Sequence, residues 1–123
     1  MKILLGVGGS ELSYHALDET IERADEAGDD LTIAIFDSEE VETTLEEIQE
    51  RVEEHLAASG FDADVRHLES DQPGGELVEL AESEGFDRIV LGGGKRSPLG
   101  KIQLGSIVEF VLLNAQTPVT LIR

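Results

Sequence analysis

Five short apolar runs alternate with four stretches of helical periodicity along this chain, and that alternation admits few folds. The runs are residues 2–7 (KILLGV), 31–36 (LTIAIF), 64–68 (DVRHL), 87–91 (DRIVL) and 119–122 (VTLI). Short runs between turn residues predict buried strands, and the less apolar third run predicts a sheet edge. Ser10 predicts the cap of a first helix, with Leu12, Ala16, Leu17, Ile21 and Ala24 at helical spacing and Gly28 as its stop. Val41, Leu45, Ile48, Val52, His55 and Leu56 mark one face of a second helix, closed by Ser59 and Gly60. Residues 70–75 (SDQPGG) predict a turn. A third helix follows through Leu77, Val78, Leu80 and Ala81, and a fourth through Ile107, Val108, Val111 and Leu112.

The order βαβαβαβαβ predicts an α/β fold, a parallel sheet with right-handed crossovers and helices on both faces. With 123 residues and no linker or repeat, a single domain over 1–123 is expected. In such a sheet ligands bind beyond the carboxyl ends of the strands, where the winding reverses. Two loops without acid, residues 6–10 and 92–105, follow the first and fourth strands; they share one crevice if those strands are neighbours.

The second loop, within LGGGKRSPLGKIQLGS at residues 91–106, leads from strand to helix. Glycines let a backbone approach a phosphate closely, and a helix start offers free N–H groups with partial positive charge. No Asp or Glu lies between Asp87 and Glu109, while Arg88, Lys95, Arg96 and Lys101 do. A cationic island on glycines predicts an anion site.

The rest of the chain is strongly acidic, with 27 Asp and Glu against 9 Lys and Arg and a net charge of −18. Such a surface repels nucleic acid. Repulsion of this density is tolerated where salt screens it, the Debye length being about 3 Å at 1 M, so a halophilic protein is expected. The absence of cysteine removes disulfide and thiolate-metal chemistry. No run approaches the ~18 apolar residues of a membrane span, so a cytoplasmic protein without a membrane partner is expected.

Several motifs fail. Gly6-Val7-Gly8-Gly9-Ser10-Glu11 opens like a dinucleotide fingerprint but sets Glu11 where the third glycine belongs. Gly100-Lys101 is followed by Ile102, which breaks the ATPase phosphate loop. His15, His55 and His67 are scattered, without metal-site spacing. Ser10, His15 and Asp18 lie on or beside one helix, a poor geometry for a nucleophilic triad. Ser97-Pro98 reads as an exposed loop serine, and the acidic run 39–54 as a solvated face.

Three segments together resemble the universal stress protein family over essentially the whole length: ILLGVGGSELSYHAL, GELVELAESEGFDRIVLG, and GKRSPLGKIQLGSIVEFVLLNAQTPVTLIR. Acidity marks a haloarchaeal-like member. The resemblance implies an open five-stranded parallel sheet, Rossmann-like (adenine nucleotide alpha hydrolase-like), in strand order 3-2-1-4-5. It also implies a homodimer paired through the last strand, residues 119–123.

One branch of the family binds ATP through Gly-x2-Gly-x9-Gly-Ser/Thr. Gly92 matches the first glycine, and Gly105 and Ser106 the closing pair, with Ile107 next to them. Lys95 replaces the second glycine and Arg96 follows it. Gly8 stands where the family has an Asp that contacts the adenosine, and Ile35 matches a position whose backbone meets the adenine. The expectation is ATP or another adenine nucleotide, with Mg²⁺, bound in weakened or altered form. The alternative is a dimeric interaction protein of the same fold with an empty site. ATP hydrolysis or self-phosphorylation is the weakest reading, since no base or metal-holding carboxylate is placed beside the loop.

Overall fold

A computed structural model describes residues 1–96, 99–100 and 102–123, with the backbone alone for 95, 96, 102 and 103. Ser97, Pro98 and Lys101 lie outside the described residues. The elements are β1 (Lys2–Val7), α1 (Glu11–Ala27), β2 (Asp30–Phe36), α2 (Leu45–Ser59), β3 (Asp64–Leu68), α3 (Pro73–Ser83) and β4 (Arg88–Gly92). After these come β5 (Lys95–Arg96), β6 (Ile102–Gln103), α4 (Ser106–Asn114) and β7 (Val119–Ile122).

Five of the strands form a parallel sheet in the order β3-β2-β1-β4-β7. This is the expected 3-2-1-4-5 order, counted over the strands of the main sheet. Side chains alternate across a strand, so each run serves both faces. Ile3, Leu5 and Val7 point to one side, where Leu17 and Ile21 of α1 and Ile48 and Val52 of α2 cover them. Leu4 points to the other, packed with Phe36, Leu77, Ile89, Leu91 and Val111 under α3 and α4. Each fully buried Leu or Ile contributes about 1.5–3 kcal/mol relative to exposure, and these two cores hold the layers together.

Helix ends follow cap chemistry. The Ser10 hydroxyl accepts from Ser13 N–H at 3.1 Å, and Gly28 closes α1 with φ 72°. Thr44 caps α2 in the same way, accepting from Glu47 N–H at 3.2 Å. Val41 therefore precedes α2 and does not belong to its face. The turn expected over 70–75 is shorter, because Pro73 starts α3 and its fixed φ suits a first helical position. In α4 Val111 is buried while Leu112 is exposed. Within the glycine loop, β5 and β6 pair as an antiparallel hairpin that pattern reading did not anticipate.

The β3 edge carries charge, as exposed edges commonly do. Arg66 donates to Glu84 and, at 3.2 Å, to Asp64. The Arg66 hydrogen bond holds the Glu84 carboxyl below its ordinary value. All three histidines are accounted for structurally. His15 pairs with Glu19, His67 meets Gln49, and His55 sits 2.6 Å from Asp18 while stacking on Tyr14. The triad arrangement is thus absent: Asp18 is engaged by His55, and Ser10 caps its helix. Among the described residues no helix is long and apolar enough to cross a membrane.

Candidate ligand crevice at the β1 and β4 carboxyl ends

β1 and β4 are neighbours, with Leu4 opposite Ile89 and Gly6 opposite Leu91. The loops after them therefore meet at one place, the point where the winding reverses. A cavity of about 60 Å³ lies there, lined by residues that include Gly8, Phe36, Glu40, Gly92, Gly105 and Ile107. Beside it opens a cleft of about 790 Å³, which includes Asp37, Glu39, Glu69, Asp71, Ser106 and Phe110. Ser38 and Ile107 line both. Ligand pockets run to about 300–1,000 Å³, so the cleft is large enough for a nucleotide and the inner cavity is not.

The inner cavity is small because protein fills the space around it. A Cβ on Gly8 would stand 2.7 Å from Cε2 of Phe36, so the aromatic ring lies directly on the turn after β1. Gly92 meets the opposite wall. A Cβ there would overlap the Leu12 carbonyl oxygen and come within 2.9 Å of Ser13 Cα. This first motif glycine is demanded by the packing of α1 on β4.

α4 begins at Gly105, an N-cap residue with no side chain to accept the first free N–H groups. Glu40 supplies that acceptor from 66 positions away, its Oε1 taking the Ser106 N–H at 3.2 Å. The carboxylate also lies on Gly105, where an added Cβ would be 2.7 Å from Oε2 and 2.9 Å from Oε1. An anion at a helix N-terminus is favoured by the free donors and the helix dipole. The acidic run read as a solvated face thus sends one carboxylate to the α4 start. No periodicity could reveal it, because Glu40 belongs to the loop between β2 and α2.

Of the eight residues singled out from sequence, Gly8, Gly92, Gly105 and Ile107 line the inner cavity, and Ser106 lines the neighbouring cleft. Ile35 does not line either space. It is fully buried among the α1 and α2 residues, with Val7 and His67 as its strand partners; Phe36 and Ser38 occupy the mouth instead. Lys95 and Arg96 form β5. The left-handed turn before them is taken by Gly94 at φ 79°, so Lys95 requires no glycine conformation. Arg88 leaves the proposed cationic island. It starts β4 at the far end of the strand, where its guanidinium donates to Thr120 Oγ1 at 3.1 Å. Lys101 lies outside the described residues. The cleft instead carries the carboxylates of Asp37, Glu39, Glu69 and Asp71.

An open parallel sheet with its crevice over the β1 and β4 ends, and helices on both faces, defines a Rossmann-like fold class. The sequence profile of the universal stress protein family matches residues 1–123, and the chain belongs to that family.

A universal stress protein of Methanocaldococcus jannaschii is 41% identical over 51 residues, 42% of this chain and 30% of the relative. One of Bacillus subtilis is 27% identical over 99% of this chain and 98% of its own. The chain thus spans from about a third to nearly all of these relatives' lengths.

Among solved structures, a universal stress protein from Archaeoglobus fulgidus has a TM-score of 0.77 at 24% identity, covering 100% of this chain and 98% of its own. One in complex with cAMP has a TM-score of 0.75 at 24% identity, covering 100% and 96%. One from Arabidopsis thaliana with AMP bound has a TM-score of 0.70 at 15% identity, covering 99% and 90%. These likenesses establish the fold.

Proposed function

We propose that this protein is a small cytoplasmic stress-response module that holds an adenine nucleotide, ATP or a shorter relative, at the β1–β4 crevice. The observation that carries the reading is the α4 start: a helix capped by glycine, facing the crevice, with an anion already drawn to the Ser106 N–H. The cAMP and AMP held by relatives of the same fold support an adenine ligand. Its phosphate would take the Gly105–Ser106 donors, and its adenosine part would extend into the cleft. Gly8, Ile35, Gly92, Lys95, Arg96 and Ile107 remain the further candidate contacts, Ile35 through its backbone alone. Mg²⁺ would ride on the phosphates, since no group of three His, Asp or Glu among the described residues is placed to hold a metal.

Calorimetric titration of ATP, ADP and AMP in concentrated potassium chloride with magnesium is expected to give one site per chain. Absence of heat from folded protein would overturn the reading. Gly105→Val is expected to weaken ATP binding by about tenfold, the worth of a lost hydrogen bond to a charged group, without unfolding the domain. The three atoms nearest to a new Cβ there belong to the flexible end of Glu40, which can move aside at little cost to the fold. Unchanged ATP affinity in that variant would count against phosphate at Gly105.

A second reading is an interaction protein whose crevice stays empty. The Phe36 ring on Gly8 and the Glu40 carboxylate on Gly105 favour it. In either reading the protein pairs through β7, a strand at the sheet edge whose neighbouring helix exposes Leu112 and Leu113. One salt series, followed by light scattering and circular dichroism, tests this pairing together with salt adaptation. A dimer mass and full helical signal are expected in concentrated potassium chloride. A monomer mass throughout removes the pairing, and a stronger helical signal in dilute buffer removes the salt adaptation.

A further inference from the structure

We infer that Glu40 is the residue that sets ligand selectivity in this crevice. Its carboxylate is a built-in occupant of the phosphate position, and a phosphate-bearing ligand has to displace it. The inference rests on the nucleotide reading above and names the determinant within that same site.

Three observations converge on it. The Ser106 N–H, the donor a phosphate would use, is taken by Glu40 Oε1 at 3.2 Å. Both carboxylate oxygens lie in the space that the missing side chain of Gly105 leaves open. The inner cavity that remains beside Glu40 is about 60 Å³, well short of a phosphate-bearing nucleoside. Among the described side chains, which do not include those of Lys95, Arg96 and Lys101, Glu40 pairs with no cation. Its backbone N–H donates to Ser38 Oγ at 3.3 Å. The helix start holds the carboxylate by the same donors and dipole that would hold a phosphate.

The consequence for selectivity follows from charge. A ligand with a phosphate tail must eject Glu40 into a loop that already carries Asp37, Glu39 and Glu42, and its own charge faces the same acids. Adenosine has no phosphate and leaves Glu40 in place. The wild-type crevice therefore prefers ATP over adenosine only weakly, and removal of Glu40 restores the preference.

The test measures dissociation constants of ATP and adenosine for wild type, Glu40→Ala and Glu40→Gln in concentrated potassium chloride. Circular dichroism confirms the fold of each; Glu40 is exposed, so neither substitution disturbs a core. ATP is expected to bind Glu40→Ala about tenfold more tightly than wild type, the scale of one charge-assisted hydrogen bond freed. Adenosine should change by less than about twofold, since it makes no bond to those donors. Glu40→Gln should gain part of the ATP effect, because its amide oxygen still accepts but carries no charge. Equal ATP affinity in wild type and Glu40→Ala would overturn the inference while leaving the nucleotide reading intact. An equal gain for adenosine would also overturn it, since Glu40 would then act as a mere cover. No binding of either ligand to any of the three folded proteins would remove the nucleotide reading and this inference with it.

Discussion

Gly92→Ala is expected to destabilise the domain by about 3 kcal/mol, the upper part of the usual range for overpacking. The neighbours that a new Cβ would meet are the Leu12 carbonyl and Ser13 Cα, both backbone atoms in the first turn of α1. Backbone cannot move aside by changing rotamer. The whole helix start would have to lift from β4, loosening the Ser10 cap and the crevice wall together. Denaturant unfolding in concentrated potassium chloride measures the change. A loss below about 1 kcal/mol, small against typical overpacking, would show that α1 can yield and that Gly92 serves the ligand alone.

Phe36→Ala is expected to cost a similar amount, about 3 kcal/mol, by leaving a cavity where an aromatic ring was buried. Phe36 is 5% exposed and packs with Leu4, Leu68, Leu77 and Leu91 at the crevice end of the α3–α4 core. The same truncation clears the space over Gly8, so the inner cavity should enlarge as stability falls. Denaturation midpoints and adenosine affinity, measured on the same preparation, follow both effects. Loss of stability without a gain in adenosine affinity would mean that the ring supports the core without obstructing the crevice. Full stability would mean that neighbours collapse into the gap.

These two residues illustrate what could be read beforehand. Gly92 was legible as a motif glycine, yet its steric reason is visible only once α1 is laid across β4. The element order was legible because each strand of the main sheet is a short apolar run, α1 announces its ends through Ser10 and Gly28, and α2 announces its close through Gly60; the Thr44 cap of α2 was missed, which is why Val41 was placed on the helix. The start of α3 was hidden by Gly74 and Gly75, which read as a turn; a Cβ on Gly74 would stand 3.0 Å from the Phe110 ring of α4, a constraint no local window contains. The hairpin of β5 and β6 has two residues per strand, too few for any period to register. Arg88 was grouped with Lys95 by proximity in sequence, but the strand between them carries it to the opposite end of the sheet. Glu40 escaped notice for the reverse reason, since its partner Ser106 lies far along the chain.

The strand order also governs how the molecule is made. β1 lies at the centre of the sheet, and its second neighbour is β4, so that Lys2 and Asp87 meet across 85 positions. During synthesis β1 and β2 can pair early, but the other edge of β1 stays open until β4 has been made. Closing so long a loop costs entropy before the contacts that reward it exist, which slows folding of parallel sheets. An emerging chain with an unpaired apolar strand is exposed to aggregation in that interval. The dense negative charge of the first two helices, which are made before β4, would keep neighbouring nascent chains apart while β1 waits for its partner.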